Sequence, residues 1–314
     1  MEIRPRVAIT LGDPRGIGPE VCTAVLGDDA LQREAELLPV GPVGVIDHPR
    51  LVAIGRWEAG GTPAEAGRLA GEAVKSAVEM ALRGEVAAVV TAPIEKSAFH
   101  AGGWRYPGHT EMLQALTGAA QVGMLMSADR TAAGNGLRVL LATTHHALRD
   151  VPRLLTTELL VQQARLAADA LQAWWEIDPP RLALCALNPH ASDGGLFGDE
   201  EERIYGPALE RLRAEKIDVA GPIPADTVFT RALRGEFDVV VAPYHDVGMA
   251  AFKTVSFGSG VNVTLGLPFP RTSPDHGTAL DIAGRGLADP SSMREATRLA
   301  VQLARRSMVP RSRV

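Results

Sequence analysis

The sequence predicts an α/β protein of two domains, each built on a mainly parallel sheet. Short apolar runs recur along the chain and alternate with longer stretches rich in Ala, Leu and Glu at helical spacing, which is the pattern of βαβ units. Each run breaks into polar, Gly- or Pro-containing sequence, as a buried strand does at its carboxyl end. At 314 residues the chain is also of the length at which a single core divides in two.

Residues 7–11 read as the first strand. They break into Gly12-Asp13-Pro14-Arg15-Gly16-Ile17-Gly18-Pro19-Glu20, whose glycines permit tight turns and whose Pro19 suits a first helical turn; an apolar helical stretch follows over 21–26. The glycine spacing is not that of the dinucleotide fingerprint, so this loop by itself reads as structural. Gly60, Gly61 and Pro63 mark the loop before a helix over 64–83, which Gly84 closes. The next strand, 86–90, ends in Thr91-Ala92-Pro93-Ile94-Glu95-Lys96. Later strands are expected over 137–142, 182–187 and 239–242, and helices over 156–175, 200–215 and 291–308. The chain shows no internal repeat and no low-complexity segment.

Composition bounds the function. The chain is 46% hydrophobic and 22% charged with a formal net charge of -5, so neither nucleic acid nor an anionic membrane is an expected partner. Arg305, Arg306, Arg311 and Arg313 read as a solvated basic tail. The two cysteines, Cys22 and Cys185, suggest no disulfide framework, and no apolar stretch approaches a membrane span or a signal-peptide core. A cytoplasmic enzyme is the expectation.

The residues that carry chemistry lie after the strands. His145, His190 and His245 each follow one of the three later apolar runs, so three imidazoles are expected at one sheet edge, where open α/β sheets place ligands. Three neutral imidazoles suit a divalent transition ion and leave a position open for water or substrate, although any one of them alone reads more readily as a hydrogen-bonded loop residue. His109 and Thr110 follow a loop bearing Gly102, Gly103 and Pro107, at or just before a helix start, where backbone N–H groups favour anions; Thr110 also reads as a simple cap. Lys253, Asn262 and Arg271 together form a candidate pocket for phosphate or carboxylate. The loop 188–195 is too polar for a core, and the dense loop 275–284 reads as a nucleotide or substrate loop, with Gly277 and Gly284 allowing close backbone approach.

Taken together, Gly12-Asp13-Pro14, Gly16-Ile17-Gly18-Pro19-Glu20, Thr91-Ala92-Pro93, Gly108-His109-Thr110-Glu111, Thr143-Thr144-His145, Asn188-Pro189-His190, Tyr244-His245-Asp246 and the run 261–268 resemble the 4-hydroxythreonine-4-phosphate dehydrogenase family of vitamin B6 (pyridoxine 5'-phosphate) biosynthesis, over nearly the whole chain. The resemblance implies two α/β domains around a cleft, similar to isocitrate and isopropylmalate dehydrogenases, with residues 1–103 and 261–314 carrying much of the NAD site and residues 104–260 carrying the metal histidines and the dimer interface. It implies a divalent metal (zinc, magnesium or cobalt) on His145, His190 and His245. It also implies substrate contacts from His109, Thr110, Lys253, Asn262 and Arg271, and NAD or NADP held by the 275–284 loop through His276, Gly277, Thr278 and Asp281. The implied assembly is a homodimer with its active site at the subunit interface. The implied reaction is NAD-dependent oxidation of 4-phosphooxy-L-threonine at C3 and decarboxylation to 3-amino-2-oxopropyl phosphate, with Asp246 or His109 as the base.

Three departures stand out: His146-Ala147 where the family often has Leu-Pro, Val247-Gly248 where many members have Gln-Gly, and a shortened 37–50 region. The rival readings are a related dehydrogenase acting on threonate or erythronate 4-phosphate or on a dihydrodiol carboxylate, and, more distantly, a phosphate acyltransferase of similar two-domain fold.

Overall fold

A computed structural model describes residues 4–256 and 258–307. These fall into two compact units, Met1–Ala120 with Val261–Val314, and Gln121–Gly260. Arg311 and Arg313 of the basic cluster, and Met308 of the last expected helix, lie outside the described residues.

The first unit opens with β1 (Arg6–Thr10), α1 (Gly18–Leu26), α2 (Asp29–Glu34), β2 (Glu36–Val43) and β3 (Val52–Arg56). Then come α3 (Pro63–Leu82), β4 (Ala88–Thr91), α4 (Lys96–Ala101) and α5 (His109–Thr117). Thr62 caps α3 by accepting from Glu65 N–H at 3.2 Å, Pro63 takes its first turn, and its apolar stripe from Ala66 to Met80 is buried. Because α5 buries Met112 and Leu113 and packs against α3, the segment 104–120 belongs to this unit and not to the one bearing the three histidines, where the sequence placed it.

The second unit contains β5 (Gly123–Ala128), β6 (Leu137–Leu141), α6 (Val151–Leu154), α7 (Thr157–Trp175), β7 (Leu182–Cys185), α8 (Gly206–Ala214), β8 (Val219–Ile223), α9 (Ala225–Leu233), β9 (Val239–Ala242) and α10 (His245–Ser256). The chain then returns to the first unit as β10 (Val261–Leu265), β11 (Arg271–Pro274) and α11 (Ser291–Ser307). Arg305, expected in a solvated tail, instead bonds Glu34 at the end of α2.

The strand order in the first unit is β3-β2-β1-β4-β11-β10, all parallel except the β10–β11 pair. In the second it is β5-β6-β9-β7-β8, parallel except β5–β6. The central strands are buried on both faces, so they read as unbroken apolar runs. Gly12, at φ +70°, carries the chain out of β1; a Cβ there would stand 2.3 Å from the Pro93 carbonyl oxygen, so this turn accepts only glycine.

Candidate active site

Neighbouring parallel strands place all three histidines at one edge of the second unit's sheet. Leu141 of β6 pairs with Ala242 of β9, and Leu184 of β7 pairs with Val241 of β9, so the three strands end side by side. His145, His245 and His190 follow those ends. Thr143 ties the first two together: its N–H and its Oγ1 both donate to the Pro243 carbonyl, at 3.2 and 2.8 Å.

Two of the imidazoles meet. The ring centroids of His145 and His245 are 5.5 Å apart. His245 Nδ1–H donates to Asp246 Oδ1 at 2.7 Å, a carboxylate–imidazole bond that places a proton on Nδ1 and orients the ring. This donor pair fits two positions of a divalent ion. His190 does not join them: its ring stands edge-on to Phe197 at 6.3 Å, and among the described residues no group of three or more His, Cys, Asp or Glu side chains is placed to hold an ion. The backbone around it runs left-handed through His190, Ala191, Ser192 and Asp193 (φ 53°, 55°, 69° and 45°) and on through Gly194 and Gly195. His146 is exposed, and its N–H donates to the Thr144 carbonyl. Lys253 is half-buried on α10.

A polar cluster lies in the first unit, on one face of its sheet. Arg271, first residue of β11, is 2% exposed; its fork donates to Thr264 Oγ1 at 3.0 Å and to Thr91 Oγ1, while its Nε has no partner. Thr10 pairs in register with Thr91, and Asn262 lies two residues before Thr264, so all of these side chains share that face. No carboxylate among the described residues pairs with the guanidinium, and burial pushes its pKa down to about 10. Thr10 Oγ1, Asn262 Oδ1 and His109 Nε2 are likewise buried without hydrogen-bond partners. Burial first, and the Arg271 charge second, hold the His109 imidazole well below its ordinary pKa, so the ring is neutral at pH 7. A buried cation with unsatisfied neighbours is the arrangement an incoming anion completes. Gly108 is the N-cap of α5, so Thr110 stands in the first turn and is not the cap. Thr10, Thr91 and Thr264 escape sequence reading because a threonine inside an apolar strand looks like any β-branched residue.

The loop 275–284 is bonded to the loop that follows β1. Ile17 N–H donates to the Thr278 carbonyl at 2.9 Å, and Gly284 N–H donates to Glu20 Oε1. The 12–20 loop, for which the sequence favoured a structural role, is thus bonded to the candidate nucleotide loop. His276 Nε2 is buried and unpartnered, Gly277 and Asp281 are exposed, and α1 begins without a side-chain cap.

Comparison with known proteins decides the family. The family model described as "Pyridoxal phosphate biosynthetic protein PdxA" matches residues 22–300. The chain belongs to the PdxA family. PdxA-like relatives carry two names at nearly equal similarity. A 4-hydroxythreonine-4-phosphate dehydrogenase of Geobacter metallireducens is 41% identical, over 96% of this chain and 96% of that protein. A D-threonate 4-phosphate dehydrogenase of Salmonella typhimurium is 42% identical, over 95% and 98%. The crystal structure of 4-hydroxythreonine-4-phosphate dehydrogenase from Klebsiella pneumoniae superposes with a TM-score of 0.84 at 38% identity, over 96% of this chain and 99% of that one. The PdxA fold is in turn similar to that of isocitrate dehydrogenase from Methylococcus capsulatus, with a TM-score of 0.52 at 16% identity. Among the described residues no helix is long and apolar enough to cross a membrane.

Proposed function

We propose that this chain is a divalent-metal-dependent NAD(P) dehydrogenase that oxidises 4-phosphooxy-L-threonine at C3, the resulting β-keto acid losing CO2 to give 3-amino-2-oxopropyl phosphate. The observation that carries this reading is Arg271: a buried guanidinium, hydrogen-bonded among the described residues only to hydroxyls, calls for an anionic substrate. In this reading Arg271 and Asn262 bind the substrate's anionic groups, and Thr110, in the first turn of α5, is a further substrate contact. His109, neutral and with Nε2 unpartnered, accepts the C3 hydroxyl proton. Asp246, already committed to His245 Nδ1, orients that ring and is not the base.

His145, His190 and His245 would hold the metal, and His276, Gly277, Thr278 and Asp281 the nucleotide. When bound, these groups supply Lewis acidity at the C3 oxygen and an acceptor for hydride. Within one chain two of the three imidazoles meet while His190 stands apart, which a homodimer with its site at the subunit interface would accommodate.

The second reading, D-threonate 4-phosphate as substrate, is favoured by the equal similarity to a relative of that name. Steady-state reduction of NAD and NADP by the purified protein, supplied in turn with zinc, magnesium and cobalt, tests both. Turnover with 4-phosphooxy-L-threonine at higher kcat/KM than with D-threonate 4-phosphate is the expected result. The reverse order would replace the substrate and keep the chemistry.

A further inference from the structure

The loop that carries His190 is held from below by one carboxylate. Glu201 is 6% exposed and opens the π-helical turn Glu201–Tyr205 that leads into α8. Its Oε1 accepts from the backbone N–H of Leu187 at 2.9 Å and of Asn188 at 2.8 Å. Its Oε2 accepts from Asn188 Nδ2 at 2.9 Å and from the hydroxyl of Ser192. One side chain thus receives four donors, all from residues 187–192, and they bracket His190 on both sides. Among the described residues no cation shares the carboxylate, and its counterpart is the set of loop dipoles.

The base of this brace is fixed in turn. Tyr205, at the end of the π-helical turn, donates its buried hydroxyl to the Cys185 carbonyl at 2.9 Å, where β7 ends. The neighbouring Glu200 accepts from the same Asn188 amide at 2.7 Å. Gly198 closes the return: it sits at φ +126°, and a Cβ there would stand 2.6 Å from Glu200 Oε2 and 2.8 Å from Asn188 Nδ2. A left-handed run through four non-glycine residues is not a conformation the chain adopts unaided. It persists where surrounding bonds over-determine it: Glu201 supplies four, beside the loop's own bonds from Ala191 N–H to the Asn188 carbonyl and from Gly195 and Phe197 N–H to the Ser192 carbonyl.

We infer that Glu201 is a positioning residue for the metal site: through Leu187, Asn188 and Ser192 it sets the left-handed loop that presents His190. This rests on the reading of His190 as a metal ligand. Glu201 touches neither ion nor substrate. Its effect is to pre-order the ligand, so its loss is read in metal affinity. A neutral amide in its place has one acceptor oxygen and sets its NH2 against the Asn188 and Ser192 donors.

The test is calorimetric titration of chelator-stripped, full-length protein with Co2+, comparing wild type with E201Q, S192A, Y205F and H190A, each also followed for thermal midpoint and for proteolytic nicking within 188–198. Y205F removes a buried bond below the brace and controls for general destabilisation. The expected result is a loss of Co2+ affinity of roughly 10- to 100-fold in E201Q, the range for groups that orient metal ligands. S192A, which keeps the backbone bonds to Glu201 and guards against failure of E201Q to fold, should lose less. Both should be nicked faster without metal, while Y205F loses midpoint and keeps affinity. Wild-type affinity in both E201Q and S192A, with H190A deficient, would overturn the role of Glu201 alone. Wild-type affinity in H190A would overturn the ligand reading beneath it. An affinity loss in Y205F equal to that in E201Q would reduce Glu201 to a structural residue.

Discussion

The ring of His145 stands 5.5 Å from the ring of His245, although β7, β8 and four intervening α-helices separate the ends of β6 and β9 along the chain. Parallel pairing of β6 with β9 makes them neighbours, and Asp246 orients one of the two rings. H145A and H245A should each abolish measurable Co2+ binding by calorimetry. D246N, which keeps shape but weakens the hold on His245 Nδ1, should weaken it roughly 10- to 100-fold. Full affinity in D246N would show that the carboxylate plays no orienting part.

Arg271 sets stability against binding. Replacing a buried, carboxylate-free cation by a residue of similar length and no charge removes a desolvation cost while stranding two threonine hydroxyls. R271M should therefore change the unfolding free energy of the ligand-free protein by no more than about 1 kcal/mol, whereas binding of a phosphorylated substrate should weaken by roughly 2–5 kcal/mol. Paired chemical denaturation and ligand titrations measure both. A large loss of stability with binding intact would make the residue structural.

His109 gives a pH signature in folding. Its folded pKa is depressed, so the unfolded chain takes up a proton at a pH where the folded chain refuses it. The stability due to the neutral ring is fully present above the ordinary imidazole value of about 6.5 and is lost as pH falls below it. H109Q should lack this component, so the gap between the wild-type and H109Q stability curves changes by up to about 1.4 kcal/mol per pH unit on that acid side and is constant above pH 7. Parallel curves across pH 5–8 would contradict a buried neutral His109.

The same ring should report substrate in kinetics. An anion beside Arg271 cancels part of the charge that depresses His109, so its pKa rises in the complex. The acid limb of kcat, which reads the complex, should lie at higher pH than the acid limb of kcat/KM, which reads free enzyme. Coincident limbs would remove His109 as the proton acceptor.

G12A should destabilise the protein by roughly 1–3 kcal/mol from backbone conformation alone, with the approach of Cβ to the Pro93 carbonyl adding to it. Thermal unfolding checks this. A variant as stable as wild type would show that the turn after β1 relaxes freely.

Much of this was legible in the residues. The apolar runs before His145, His190 and His245 are strands β6, β7 and β9, and the helical stretches at 64–83 and 156–175 are α3 and α7, because periodicity and burial act locally. β10 and β11 were hidden by flanking glycines and prolines, and α10 by its polar start at His245-Asp246. The edge shared by the histidines could be anticipated from strand ends, but the left-handed course at His190 could not: Pro189, Ala191 and Ser192 carry no local demand for positive φ, and the Glu201 carboxylate that bonds Ser192 lies outside the loop. The threonines around Arg271 were equally silent, since which face a strand residue uses depends on neighbours brought in from elsewhere in the chain.

β11 lies between β4 and β10, so the guanidinium of Arg271 reaches Thr91 only across 180 positions of chain. During synthesis the contiguous stretch 121–260 emerges whole, whereas the earlier stretch 1–120 waits on the ribosome for its missing inner strand. A nascent chain therefore has no completed anion pocket until translation is nearly finished, and protease-resistant fragments from stalled ribosomes should appear first from the middle of the polypeptide.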